Sequence, residues 1–135
     1  MPDQQYKLSP ATAERLKEAY RNAGFQKVEP ADWTIHIVDK LPWPIRGGFS
    51  GCVLGKNHIY LVAKVNRRTL DDVLSNSRVL LCHEGIHQDQ IGRHGWYGFL
   101  TRYLFQWLKD GRDYRKIDFE EEAYGKQAEV AAGWV

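Results

Sequence analysis

Two histidines four residues apart, His83 and His87, enclose a glutamate, Glu84, in the run Val79-Leu80-Leu81-Cys82-His83-Glu84-Gly85-Ile86-His87-Gln88-Asp89-Gln90. On an α-helix, positions i and i+4 share a face, so both imidazoles reach a single point about 2 Å from each ring nitrogen, which is zinc geometry. Glu84 lies on the same turn and need not bind the ion. There a carboxylate accepts a proton from a water activated at the metal, the division of labour of an H-E-x-x-H sequence. Gln90, seven residues beyond His83, returns to the same face, where its amide is a candidate for hydrogen-bonding a ligand or a substrate.

Catalytic zinc takes three protein ligands and keeps one position open, so a third donor is needed. His94 lies eleven residues after His83; the metzincin spacing would place a histidine at Arg93 and a glycine at Gln90, and Met1 is the only methionine, so no Met-turn is available. A histidine four residues beyond His87 would fall at Ile91. Carboxylates remain, and Phe119-Glu120-Glu121-Glu122-Ala123-Tyr124 places three of them on a further predicted helix. Glu120 and Glu122 point to different sides of that helix, so only one can serve. The plain alternative for the triplet is a solvated acidic helix start favoured by the dipole, and it is the preferred reading of Glu121.

An H-E-x-x-H helix followed by a helix bearing glutamates before Ala-aromatic resembles the gluzincins, the thermolysin-like clan of zinc metallopeptidases, over roughly Ile59 to Tyr124. The resemblance implies a small zincin-like domain, Zn2+ as cofactor, and peptide-bond hydrolysis with Glu84 as general base. It implies Glu120 as third ligand, with Glu122 as the alternative, and a substrate strand paired along Ile59–Val62. The clan commonly carries an aspartate where this chain has Tyr124; a phenol can hydrogen-bond a ligand histidine but supplies no negative charge. Tyr97, Tyr103, His94 and Arg93 all stand as donors for the developing oxyanion. The expected partner is a peptide or protein substrate, with a second protein supplying specificity that so short a chain has little room to build. Two other classes compete: a zinc-binding regulatory or interaction module without turnover, and a metal-free interaction protein using its aromatics as contacts.

The elements that must carry these residues can be read from the rest of the chain. Its 135 residues suffice for a single domain over residues 1–135 with its own core, and 43% hydrophobic with 27% charged content is ordinary for a globular chain. Nineteen basic and 17 acidic residues are intermixed, net +2, which leaves no basic stripe for nucleic acid. No basic-then-apolar leader opens the chain and no 18-residue apolar run occurs, so the expectation is a cytoplasmic protein without a membrane association. Cys52 and Cys82 read as small buried residues rather than a disulfide pair.

Ser9-Pro10 opens an amphipathic helix ending near Gly24. Trp33–Val38 reads as a strand with His36 pointing outward, and Leu41–Gly51, with two prolines and three glycines, as a loop. Cys52–Leu54 and Ile59–Ala63 form a predicted hairpin, Asn66–Arg68 a solvated turn, and Thr69–Asp72 a capping box opening a helix. Val79–Cys82 is apolar on every side, so the histidine helix should pass through the core and stop near Gly92 or Gly95. Trp96, Leu100, Tyr103, Leu104, Trp107 and Leu108 recur at helical spacing as a core face, and a last helix runs from about Asp118 to Ala131. Strands first and helices afterwards make an α+β fold, a short antiparallel sheet packed on the histidine helix and its neighbours.

Overall fold

The computed structural model describes residues 4–39, 41, 51–62, 77–109, 111 and 116–134. The predicted turn at Asn66–Arg68, the capped helix from Thr69, and most of the Leu41–Gly51 loop lie outside the described residues. The elements are β1 (Gln4–Tyr6), α1 (Pro10–Asn22), a 3-10 turn (Pro30–Asp32), β2 (Thr34–Val38), β3 (Gly51–Val53), β4 (His58–Val62), α2 (Arg78–His94), α3 (Trp96–Lys109) and α4 (Asp118–Gly133).

The fold is α+β, with the strands in the order β1-β2-β4-β3. β1 pairs with β2 and β3 with β4 antiparallel, but β2 and β4 run parallel, Ile35 opposite Ile59 and Ile37 opposite Leu61. The sheet is therefore mixed, where the sequence suggested an antiparallel one. Parallel neighbours need a connection of a dozen or more residues, and here residues 39–57 supply it, with β3 laid against the far edge of β4 on the way. β1 has no alternating apolar pattern to announce it and holds its place by pairing Gln5 with His36.

Strand alternation turns Ile35, Ile37, Ile59 and Leu61 to one side, at most 1% exposed, where they join Leu81, Cys82 and Ile86 of α2 in the core. On the other side His36 stacks on Tyr60 at 4.2 Å, and its Nε2 lies 3.1 Å from His58 Nδ1; it faces away from the core side of the sheet as expected, yet these neighbours leave it buried at 5% exposed. α2 does pass through the core: every residue from Leu81 to Ile91 is buried. Its buried polar side chains other than Glu84 are accordingly hydrogen-bonded. Gln88 accepts from Asn57 N at 2.6 Å and donates to the carbonyls of Gly55 and His58, clamping the β3–β4 turn. Asp89 accepts from Lys27 N at 2.6 Å and pairs with Arg93. Tyr20 of α1 donates to the Cys82 carbonyl at 2.8 Å.

α1 begins as predicted, with Ser9 accepting from Thr12 N and Pro10 at the first position, and Gly24 beyond its end has φ +99°. α2 stops at Gly95, φ +76°. α3 departs from expectation. Phe99 is buried and Trp96, Tyr103 and Trp107 pack partly against the core, whereas Leu104 and Leu108 are 47% and 59% exposed beside Phe105 and Tyr97. A helix apolar on nearly every side can turn only one strip inward, and the strip with Phe99 and Tyr103 faces His87. Cys82 is buried and Cys52 half-buried, both are free, and burial pushes each thiol up to about 12. Among the described residues no helix is long and apolar enough to cross a membrane.

Candidate metal centre

α2 and α4 pack side by side and bring three donor side chains together. His83 Nε2 lies 2.9 Å and His87 Nε2 3.0 Å from the same oxygen, Glu120 Oε1. All three residues are buried, and their donor atoms lie within 4.8 Å of one another, a group that could hold a metal ion.

The hydrogen bonds behind the imidazoles decide which nitrogens can bind. Gln90 Nε2 donates to the Phe119 carbonyl at 2.9 Å, an acceptor only, so its amide oxygen must be the atom 2.7 Å from His87 Nδ1. That oxygen can only accept, so Nδ1 carries the proton and a neutral His87 presents a bare lone pair at Nε2. Gln127 is the corresponding partner of the other imidazole, with Oε1 2.8 Å from His83 Nδ1. The donor set is thus two imidazole nitrogens and one carboxylate oxygen, each backed by a partner, which fits a divalent ion of the zinc class. The second carboxylate oxygen, Glu120 Oε2, accepts from Tyr103 Oη at 2.5 Å.

The electrostatics follow from this packing. Burial opposes ionisation of Glu120, but the hydrogen bonds from His83 and His87, the His87 charge and the Tyr103 hydroxyl outweigh it and hold the carboxyl well below the usual range. Burial likewise disfavours a charged His87, yet the Glu120 hydrogen bond and the charges of Glu120 and Glu84 raise it to about 9. Glu84 is 3% exposed and turned toward the sheet, where a Cβ on Gly51 would stand 3.4 Å from its Cγ. Among the described residues no donor hydrogen-bonds its carboxylate, and burial pushes its pKa up against the pull of the two imidazoles. No family model, curated protein or solved structure matches this chain.

His83, His87 and Glu120 are brought together as the motif reading expected, and Gln90 sits beside them. Glu122, the alternative ligand, is drawn off the site: it accepts from Gln90 Nε2 at 2.9 Å and pairs with Arg93. Glu121 is exposed, as a solvated helix start should be. His94 is exposed with its ring 5.4 Å from Phe119, outside the donor group. Tyr124 lays its ring 4.5 Å from that of His83, while the bond to His83 Nδ1 comes from Gln127, one turn further along α4. Gln127 lies seven residues after Glu120, on the same face, a spacing by which the sequence could have nominated it. Of the four oxyanion candidates, Tyr103 is engaged with Glu120, Arg93 pairs with Asp89 and Glu122, and Tyr97 is 79% exposed on the outer side of α3. β4, the strand implied for substrate pairing, is hydrogen-bonded on both sides by β2 and β3, so among the described strands the edge next to Glu84 belongs to β3.

Proposed function

We propose that this chain is a zinc-dependent peptidase of gluzincin type, in which His83, His87 and Glu120 hold the ion and Glu84 is the general base. The observation that carries the reading is the convergence of both Nε2 atoms on Glu120 Oε1 with a buried carboxylate one residue from the first ligand. An ion held there supplies a Lewis acid that polarises a carbonyl and acidifies water. The chain's own residues do the rest. Glu84, buried and without a hydrogen-bond donor among the described residues, takes the proton of the attacking water and returns it to the departing amine. Gln90 and Gln127 keep each imidazole in the tautomer that leaves Nε2 free. Among the described strands β3 is the edge next to Glu84, where an extended peptide would have a strand to pair with.

A second reading has its own support. The three donors and Glu84 are all 6% exposed or less, the closed character of a metal site that stabilises rather than reacts. Metal analysis and a hydrolysis assay on a mixed peptide library separate the two. The peptidase binds about one zinc per chain and cleaves; Glu84→Gln retains the zinc and loses about 10²–10⁴ in rate. Zinc bound at one per chain by a wild-type protein that cleaves nothing identifies the stabilising site. Undiminished cleavage by a folded Glu84→Gln variant sinks the mechanism.

A further inference from the structure

We infer that Tyr103 is a positioning residue that sets the coordination number of the centre by holding Glu120 to a single oxygen. The inference rests on the reading of His83, His87 and Glu120 as metal ligands. A carboxylate can bind an ion through one oxygen or through both, and the second mode fills a position that a three-ligand site otherwise keeps open. Glu120 has its two oxygens assigned to different neighbours. Oε1 faces both imidazoles at 2.9 and 3.0 Å, while Oε2 accepts the Tyr103 hydroxyl at 2.5 Å. A short bond from a neutral hydroxyl to a carboxylate is among the stronger hydrogen bonds, and turning Oε2 toward the ion would break it within a pocket where Glu120 is 6% exposed.

The hydroxyl is itself held in place. Tyr103 packs on Phe99 with ring centroids 5.8 Å apart, Phe99 stacks on Phe119 at 4.9 Å, and Phe119 is the residue before Glu120. The row of three rings ties α3 to the start of α4, so the phenol and the carboxylate are positioned by the same packing. Hydrogen bonding to Oε2 also draws electron density from Glu120, making it a weaker donor and leaving the ion a stronger Lewis acid. Neither Gln90 nor Gln127 can act in this way, because both address imidazoles.

Cobalt(II) in place of zinc reports the coordination number, since its visible bands are several-fold more intense with four ligands than with five or six. Wild-type protein titrated with cobalt should bind one ion per chain with intense bands. Tyr103→Phe keeps the ring and removes only the hydroxyl; it should still bind one cobalt per chain, with bands weakened several-fold as Oε2 joins the ion. Phe99→Leu, which loosens the same aromatic row and spares the hydroxyl, should keep the intense bands. Unchanged bands in Tyr103→Phe, or an equal loss in Phe99→Leu, overturns the inference. Failure of the wild-type protein to bind cobalt overturns the metal reading itself and this inference with it.

Discussion

Gln90 holds His87 by an amide whose orientation is dictated from its other end: Nε2 reaches the Phe119 carbonyl, and Oε1 therefore meets His87 Nδ1 at 2.7 Å. Gln90→Leu removes the acceptor that fixes the tautomer. We predict that zinc binding weakens about 10–100-fold, the usual effect of losing a partner behind a ligand histidine. Competition against a chromophoric chelator measures it, and an affinity within twofold of wild type would show that the amide does not orient His87.

Glu120 and Glu122 are distinguished by their neighbours rather than by their chemistry. Glu120 meets both imidazoles, whereas Glu122 is taken up by Gln90 and Arg93. Glu120→Ala should abolish stoichiometric zinc binding, and Glu122→Ala should leave about one zinc per chain. Metal analysis after gel filtration reads both, and the reverse pattern would move the third ligand to Glu122.

Protein stripped of metal should have a stability that depends on pH through the His87–Glu120 pair. The folded His87 value is raised to about 9, so its contribution is complete below the ordinary histidine value and is lost as pH rises through about 9. Glu120 is depressed, so its side of the same interaction is present above the ordinary carboxylate range and is lost as pH falls. The melting temperature should be highest between roughly pH 5 and 6.5 and decline toward pH 9, given ordinary values of about 4.3 and 6.5 for the two side chains. Zinc-loaded protein should lack the alkaline decline, because the ion takes the place of the proton. A flat profile from pH 6 to 10 without metal would refute the pairing.

Gly85, inside the histidine motif, marks a close approach of α2 to the N-terminal half. A Cβ there would stand 1.9 Å from Tyr20 Oη and 2.5 Å from Trp33 Cη2, both in fully buried side chains. Gly85→Ala should destabilise by about 1–3 kcal/mol or more through overpacking. Gly125 of α4 has nothing within 4 Å of such an atom, so Gly125→Ala should gain up to about 1 kcal/mol from helix propensity. Denaturant unfolding of the two variants should give shifts of opposite sign.

The parts of this structure legible in the sequence are those encoded over one or two helical turns. His83, His87 and Gln90 share a face by spacing, and α1 carries its own start and stop signals in Ser9, Pro10 and Gly24. The glutamate triplet showed that a carboxylate was at hand and the resemblance put Glu120 first, but it takes the packing of α4 on α2 to show Glu122 held by Gln90 and Arg93 instead. Tyr103 reaches the site from α3 across a distance no local pattern records. The parallel pairing of β2 with β4 was hidden for the same reason, since strand order is set by which edges meet and not by either strand's residues. On α3 the period was visible but too many positions were apolar to say which strip would turn inward, and Leu104 and Leu108 ended outside.

The donors and the residues that hold them, His83, His87, Gln90, Tyr103, Glu120 and Gln127, all fall within residues 83–127 on three consecutive helices. The bonds tying α2 to α1 and the segment just after it, Tyr20 to Cys82 and Lys27 to Asp89, each close 62 residues. In kinetic terms the shorter closures come at lower entropic cost, so an ion can be captured as the helices meet and before α1 docks. Zinc supplied during refolding should therefore be taken up with the first helical signal. Zinc supplied to the finished fold, whose donors are only 3–6% exposed, should enter at the slower rate of local opening.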